Sequence, residues 1–305
     1  MQGTCRDGGT TFIMISRADS KKKLAALIKQ AASSELASIG SVVFKIMEIT
    51  KNPDSTATDL KETIEVDPPL SAKVLRRANS AEFGLRRSVT SIQEAIVFMG
   101  FNAVKELALS LKIGDVFKDK TVTNGYSKKE LWKHSLGVAM CAKHIYRREY
   151  SEKGDTVYSA GLLHDLGLIV VDQYANETFT MITAKVQKEG IAFADAEKEF
   201  QGFDHCRIAR DLTRMWQLPA ELVAAVTYHH QPLRVDPLYA KEASTLFVAD
   251  YLCAKYKVGY VEQQELDEET FKRCCTLMNL DPIALEIIIE DVIQELVEME
   301  EREEF

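Results

Sequence analysis

From about Leu24 onward, apolar residues recur along the chain at intervals of three and four, the spacing of an amphipathic helix. Capping residues mark where some of these segments begin. Asp67 is followed by Pro68, and Ser91 is followed three residues later by Glu94, which together form a capping-box pattern. No segment shows the alternation that is typical of a β-strand. The hydrophobic pattern therefore predicts an all-α protein.

Three further polar residues are predicted to cap helices. Asn102 precedes an apolar segment, Ser127 opens a second capping box with Glu130, and Asp204 stands before the segment that begins at His205. The side chain of each can accept a hydrogen bond from an N–H group in the first helical turn.

Turn signals and charge runs divide the chain into five segments. Residues 1–22 have no clear period, and residues 116–127 are polar and contain Asn124-Gly125, a turn signal. We therefore expect an N-terminal helical bundle, then a linker, then a second helical bundle. The predicted boundaries are a mobile leader at 1–22, the first bundle at 23–115, the linker at 116–127, the second bundle at 128–258 and acidic helices at 259–305.

Composition and charge exclude several classes of protein. The chain has 305 residues, of which 46% are hydrophobic and 28% charged, as is ordinary for a soluble protein. No apolar run approaches the length of a membrane span, and Phe12–Ile15 is too short for a signal peptide. The six cysteines contain no CxxC pair, which favours reduced thiols and a cytoplasmic location.

The acidic end of the chain accounts for the net charge of −8. Residues 286–305 contain nine acidic residues against Arg302 alone, and the rest of the chain is balanced. This balance argues against binding to nucleic acid. Within the same segment Ile288, Val292, Leu296 and Met299 share one helical stripe, which could pack on the body of the protein or on a second copy.

Candidate chemistry is concentrated in the second bundle, which contains all six histidines. His164 and Asp165 stand side by side at the end of an apolar helix, where packing alone would not place a carboxylate. Imidazole and carboxylate groups together suit iron, manganese or zinc. The full set of candidate metal ligands is Glu130, His134, His164, Asp165, His205, His229, His230 and Asp250.

Each candidate taken alone has a structural explanation. Glu130 could serve only as the acceptor in the capping box of its helix. Asp250 could form a buried ion pair with an arginine of the first bundle, and His134, His205 and either of His229 and His230 could be ordinary core or surface histidines. His144 lies about 80° around its helix from His134 and is expected to face solvent. Cys206 and Cys253 are assigned to core packing.

The ordered set of histidines and aspartates resembles the HD-domain superfamily of metal-dependent phosphohydrolases. Residues Asp67–Leu75, Ala78–Ser80 and Ser91–Val104, together with Gly161–Gly167 and Tyr228–His230, resemble the HDOD family within it. The resemblance spans about residues 30–256. It implies a second bundle of the HD-domain type, in a bacterial family whose members are usually signalling or regulatory proteins and have often lost their metal ligands.

Glu130 and the doubled His229-His230 resemble the HD-GYP branch, whose centres hold two or three iron ions. By this resemblance Asp165 bridges two divalent ions and is the central catalytic residue, and iron is favoured over manganese or zinc. His134, His164 and Asp250 are assigned to one ion and His205, His229 and His230 to the other. Glu130 is assigned to a third ion or to the first. Two such ions would activate a water for attack on phosphorus.

Two departures from the active phosphodiesterases bear on activity. Their His-Asp-x-Gly-Lys motif has a phosphate-binding lysine where this chain has Leu168, which cannot donate a hydrogen bond. Gln231-Pro232-Leu233 stands in place of the Gly-Tyr-Pro element. Hydrolysis of cyclic di-GMP is therefore not favoured.

We expect a regulatory protein with an intact two-metal site that could hydrolyse a nucleotide or another phosphoester. The alternatives are an active HD-GYP-like phosphodiesterase and a di-iron HD-domain oxygenase. The expected partners are a small phosphoester or nucleotide and a signalling protein, with neither nucleic acid nor membrane. The chain also has a candidate basic edge for an anion or a partner, formed by Arg76, Arg77, Arg86 and Arg87.

Overall fold

A computed structural model describes residues 16–80, 88–119, 121–260 and 266–301. The predicted all-α class is confirmed, because these residues form helices almost throughout. The exception is a small antiparallel hairpin of β1 (Val122–Thr123) and β2 (Tyr126–Ser127), which lies in the predicted linker. Asn124 and Gly125 both have positive φ angles, as the two central residues of a tight hairpin turn require.

Six helices form the N-terminal part of the fold. They are α1 (Arg17–Ala32), α2 (Glu35–Lys51), α3 (Ala57–Glu65), α4 (Pro68–Ala78), α5 (Ile92–Met99) and α6 (Phe101–Gly114). A short 3-10 turn at Asp115–Phe117 follows α6. Residues 17–22, assigned to the leader, belong to α1, which buries Leu24 and Leu27. Residues 1–15 of the predicted leader lie outside the described residues.

Ten helices complete the described chain. They are α7 (Lys128–Glu149), α8 (Asp155–Leu163), α9 (Leu166–Tyr174), α10 (Asn176–Glu189), α11 (Phe193–Gln201), α12 (His205–Met215), α13 (Ala220–Tyr228), α14 (Ala240–Lys255), α15 (Glu268–Met278) and α16 (Pro282–Glu301). None of these described helices, nor those before them, combines the length and the apolar character needed to cross a bilayer.

Local side-chain capping explains several helix starts. Asp67, Ser91 and Asp204 accept hydrogen bonds from first-turn N–H groups, as predicted. The prediction for Asn102 is wrong, because α6 already begins at Phe101 behind a glycine with a positive φ angle. The capping box predicted at Ser127 is also not formed, since the Ser127 side chain makes no capping hydrogen bond.

The long helix α7 lies at the centre of the second bundle, where α8, α14 and α16 pack against it. Its contact with α8 is unusually close, because a Cβ atom built on Gly161 would lie 2.5 Å from the Ala139 Cα. Only glycine permits this approach, which brings the end of α8 against the middle of α7. The candidate ligand pair His164-Asp165 follows directly after that contact.

Two buried ion pairs join elements that are distant in sequence. The Lys105 ammonium on α6 lies 2.9 Å from the Asp155 carboxylate at the start of α8. The Lys128 ammonium on α7 lies 2.9 Å from the Asp172 carboxylate on α9. Apolar residues from both halves also belong to one buried cluster. The subdomain boundaries given above stay a prediction.

The acidic helix α16 packs on the body of the protein. Ile288, Val292 and Leu296 are buried along its predicted stripe. Its outer acidic residues pair with basic residues of α7, with 2.5 Å between Arg148 and Asp291. The same helix covers His144. The His144 side chain is mostly buried, and its Nε2 lies 3.2 Å from a carboxylate oxygen of Glu295. The expectation that His144 faces solvent is therefore wrong.

Candidate metal centre

Five separate chain positions converge at one end of the second bundle. His134 lies on α7, His164 and Asp165 lie between α8 and α9, and His205 begins α12. His229 and His230 follow α13 directly, and Asp250 lies on α14. The structure thus brings together seven of the eight candidate ligands.

The Asp165 carboxylate faces two different sets of imidazoles. Its Oδ2 lies 3.2 Å from His164 Nε2 and 4.0 Å from His134 Nε2. Its Oδ1 lies 3.5 Å from His205 Nε2 and 3.7 Å from His229 Nε2. A carboxylate whose two oxygens point to separate nitrogen sets has the arrangement needed to bridge two cations.

Asp250 and His230 complete the two sets. Asp250 Oδ1 lies 3.1 Å from His134 Nε2, and Asp250 Oδ2 lies 4.0 Å from His230 Nδ1. His205 Nε2 lies 3.1 Å from His230 Nε2 and 3.4 Å from His229 Nε2. Atoms bound to one ion at about 2.0–2.2 Å lie about 3–3.6 Å apart, so several of these separations match ligand atoms around an ion.

The opposite nitrogen of each buried imidazole is held by a hydrogen-bond acceptor. The Nδ1 atoms of His164 and His229 lie 2.8 Å from the carbonyl oxygens of Gly161 and Val226. His134 Nδ1 lies 3.3 Å from the Val258 carbonyl oxygen. A carbonyl can only accept, so each Nδ1 carries a proton and each Nε2 faces the centre, where it offers a lone pair when the ring is neutral.

These lone pairs decide whether the residues fit a cation. His164 Nε2 is buried and has no hydrogen-bond partner, although a carboxylate oxygen lies nearby. His205 Nε2 and His229 Nε2 likewise face each other across 3.4 Å. Such acceptor–acceptor contacts are repulsive unless a proton or a metal ion lies between them. The donor set therefore fits divalent cations of the kind that imidazole and carboxylate bind.

The electrostatics of the centre follow from burial and from the crowding of these groups. Burial alone would raise the pKa of the Asp165 carboxyl, but His164, His205 and His229 hold that pKa well below its usual range. Burial opposes protonation of His164, yet the Asp165 charge raises its pKa to about 9. Burial and the neighbouring His230 lower the pKa of His229 well below its ordinary value. Anionic Asp165 and neutral His229 are the forms in which these groups bind metal.

Glu130 and Cys206 are two further residues of this part of the bundle. Glu130 is half-buried on α7 and does not line the cavity at the centre, so its role as a ligand stays a prediction. Cys206 is buried with its Sγ 4.0 Å from His229 Nε2, within ligand distance of the second set. Cys206 therefore lies among the candidate ligands as well as in the core. Burial raises the pKa of the Cys206 thiol to about 11, so the sulfur stays protonated at neutral pH.

Glu197, a fully buried carboxylate on α11, is not among the predicted site residues. Its Oε2 accepts hydrogen bonds from the backbone N–H of His205 at 2.8 Å and from Nδ1 of the same residue at 2.6 Å. Glu197 thus fixes both the position and the tautomer of His205. A signal was present in the sequence, because Glu197 lies one helical turn after Phe193 on the buried face of α11.

Replacing Glu197 with glutamine is expected to weaken metal binding by about 10–100-fold, the usual effect of losing such a supporting carboxylate. The neutral amide keeps the shape but removes the negative charge that makes His205 a stronger ligand. A titration against a competing chelator measures the change. Glu199→Gln is the matched control, since Glu199 lies on the same helix and pairs with Lys185 away from the centre. Equal affinity in the two variants would contradict the role of Glu197.

A cavity of about 230 Å³ opens onto the ligands. His134, Asp165, His230 and Asp250 line it, and Lys198 is its only basic residue in the described part of the chain. The aromatic side chains Phe247, Tyr251 and Tyr260 also contribute to its wall. The centre is therefore accessible to a small molecule.

Comparison with known proteins agrees with this architecture. The HDOD domain matches residues 36–232, which is more than half of the chain. The protein belongs to the HDOD family.

Individual relatives are distant in sequence but close in fold. An HDOD domain protein of unknown function from Geobacter sulfurreducens is 25% identical, with a TM-score of 0.72 over 92% of this chain and 97% of that one. A candidate metal-dependent phosphohydrolase from Shewanella amazonensis is 18% identical, with a TM-score of 0.56 over 92% of this chain and 98% of that one, and shows the fold alone.

A curated relative is an uncharacterised protein of Treponema pallidum, 24% identical over 230 residues. The match covers 75% of this chain but only 44% of the relative, so the chain spans less than half of that protein's length.

Proposed function

We propose that this HDOD protein is a regulatory protein with a two-metal centre, most favourably of iron, that hydrolyses a small phosphoester or nucleotide. Family membership supports the regulatory role, because the resemblance noted above is to signalling proteins. The chemistry of the donor set supports the metal centre. The observation that carries the proposal is the Asp165 carboxylate, whose two oxygens face separate imidazole pairs.

In this proposal Asp165 bridges the two ions. His134, His164 and Asp250 hold the first ion, and the remaining three imidazoles hold the second. Bound divalent ions lower the pKa of water and stabilise negative charge on a phosphoryl group. Imidazole ligands without a thiolate suit iron, manganese or zinc, and the doubled His229-His230 favours iron through its resemblance to the HD-GYP branch.

Lys198 is the residue of this chain best placed to bind the phosphate. It lines the cavity beside His230, with its ammonium 3.4 Å from Asp204 and 3.5 Å from Asp195. Leu168, which occupies the lysine position of the phosphodiesterase motif, is only 1% exposed and packs in the core. A cation reaching the cavity from α11 would replace the missing donor. Its charge would hold and orient a phosphate oxygen of a substrate bound at the centre.

Hydrolysis of bis-p-nitrophenyl phosphate by protein loaded with iron or manganese tests the proposal. We expect turnover, and we expect Lys198→Ala to raise KM about tenfold with little change in kcat, because a solvent-accessible charged hydrogen bond contributes about 1–1.5 kcal/mol. Lys185→Ala is the control, since Lys185 pairs with Glu189 and Glu199 on the neighbouring surface. Absence of turnover by metal-loaded protein would contradict the proposed hydrolysis of phosphoesters.

A second function is favoured by one observation, the buried apolar Leu168 at the phosphate-binding position of the motif. In that case the centre is a non-catalytic sensor within a regulatory protein. Metal-loaded protein would then bind its ions but leave phosphoesters intact. Oxygen consumption with an organic substrate would instead indicate a di-iron oxygenase.

A further inference from the structure

A second cavity lies away from the metal centre and shares none of its lining residues. Its volume is about 440 Å³, within the range of roughly 300–1,000 Å³ that is usual for small-molecule sites. Residues of α4, α6 and the 3-10 turn at 115–117 line one part of it, and residues of α7 and α16 line the rest. The cavity therefore lies where the N-terminal helices meet the bundle that carries the metal ligands.

Positive charge dominates the polar lining of this cavity. Five basic residues contribute to it against two acidic ones, Asp115 and Asp119. The Asp115 carboxylate is shared by Lys73 and Lys118, and the Asp119 carboxylate pairs with Lys128, which lies outside the lining. The basic residues are Lys73, Arg76, Arg77, Lys118 and Lys129.

Lys129 lies 3.4 Å from the Glu300 carboxylate outside the lining, so the excess positive charge comes from Arg76 and from Lys73 and Lys118, which share one carboxylate. Arg76 is exposed and forms no ion pair with any acidic residue in the described ranges. Burial lowers the pKa of Lys73, and its neighbour Lys118 lowers it further. A bound anion would relieve this mutual repulsion of cations at one wall of the cavity.

The other wall is apolar and contains a tryptophan. Leu107, Leu111, Leu136 and Met299 surround Trp132, whose ring lies 5.1 Å from that of Phe117. Gly114 packs closely against the edge of the indole, since a Cβ atom at that position would lie 3.1 Å from its Cζ2, and 7% of Trp132 stays exposed. A flat apolar group can therefore rest on this wall while an attached anion reaches the basic residues.

We propose that this cavity is a binding site for a nucleotide, with the base on the Trp132 wall and the phosphate beside Arg76 and Lys118. The combination of size, flat apolar wall and excess positive charge selects a ligand that has both a phosphate and a planar body. Inorganic phosphate lacks the planar body, and a nucleoside lacks the charge. The inference does not depend on the proposed hydrolysis, because the two cavities are separate.

Isothermal titration calorimetry of the metal-loaded full chain with AMP and GMP tests this site. We expect saturable binding of at least one nucleotide, with adenosine, guanosine and inorganic phosphate each at least tenfold weaker. The double variant Arg76→Ala/Lys118→Ala is expected to weaken nucleotide binding at least tenfold. Both side chains are exposed at this rim, so their removal has little effect on folding.

Two further variants separate this site from the metal centre. Ser110→Trp fills the cavity, since Ser110 lines it, and is expected to abolish binding. Lys198→Ala changes the metal cavity but no residue of the Trp132 cavity, so the affinity of the Trp132 cavity for the nucleotide is expected to stay within a factor of two. Binding that is lost in Lys198→Ala but kept in the Arg76/Lys118 variant would overturn the proposal. Absence of binding by both nucleotides at millimolar concentration would also overturn it, whether or not phosphoesters are hydrolysed.

Discussion

Replacing Asp165 with alanine is expected to leave the purified protein with less than a tenth of the metal bound by the unmodified chain. The reason is geometric. Both carboxylate oxygens are committed, one toward His164 and one toward His205, so a single change removes a ligand from each ion. Loss of a shared ligand exceeds the 10–100-fold effect of losing a supporting residue. Elemental analysis after gel filtration measures the metal content.

Two further variants make the Asp165 result interpretable. Asp195→Ala removes a carboxylate that lines the same cavity but is mostly exposed, and it should retain full metal content. Asp165→Asn keeps the shape of the side chain and one carbonyl oxygen, so this variant is expected to fold. A loss of metal in it can then be assigned to the lost carboxylate and not to unfolding. Asp165→Asn should lose metal while circular dichroism shows an intact helical protein. Full metal content in Asp165→Ala would contradict the bridging role.

Replacing Gly167 with alanine is expected to lower the free energy of unfolding by about 2–3 kcal/mol, the upper part of the range for overpacking a well-packed interior. A Cβ atom at this position would lie 2.7 Å from the Cα of His205, and backbone cannot move aside as a flexible side chain can. The start of α12 must shift, and His205 shifts with it. The same variant should therefore also bind metal more weakly.

Urea denaturation of metal-free protein measures the stability change without a contribution from metal binding. Gly114→Ala is the matched control, since its added methyl group meets only the edge of the Trp132 ring at 3.1 Å. That side chain can shift slightly, and alanine also favours the helical backbone, so we expect a change within about 1 kcal/mol. If Gly167→Ala is as stable as this control, the close approach of α9 to His205 is not required.

The fold class was predictable because the helical spacing of apolar residues is long and regular. Asp67, Ser91 and Asp204 cap helices because a side-chain oxygen near first-turn N–H groups is a local feature. The prediction of a cap at Asn102 was wrong for a local reason too, since Gly100 precedes the helix with a positive φ angle and the helix starts two residues earlier than predicted. Helix boundaries depend on such backbone details, which residue type alone does not determine.

The candidate ligands were found because polar residues at apolar positions stand out in a helical pattern. Glu197 was missed because its own neighbours include other charged residues, and its burial depends on His205 approaching from another helix. The ion pair of Lys105 with Asp155 could not be predicted for the same reason. Such contacts between distant segments are set by tertiary packing, which no local sequence pattern contains.

The central claim is that seven side chains hold two cations around Asp165. Its most direct test is metal analysis of the unmodified protein, produced with iron and purified without chelators, together with Mössbauer spectroscopy. The account predicts about two ions per chain and the signature of two coupled irons with imidazole and carboxylate ligands. Protein that retains almost no metal after exposure to iron, manganese and zinc would contradict it.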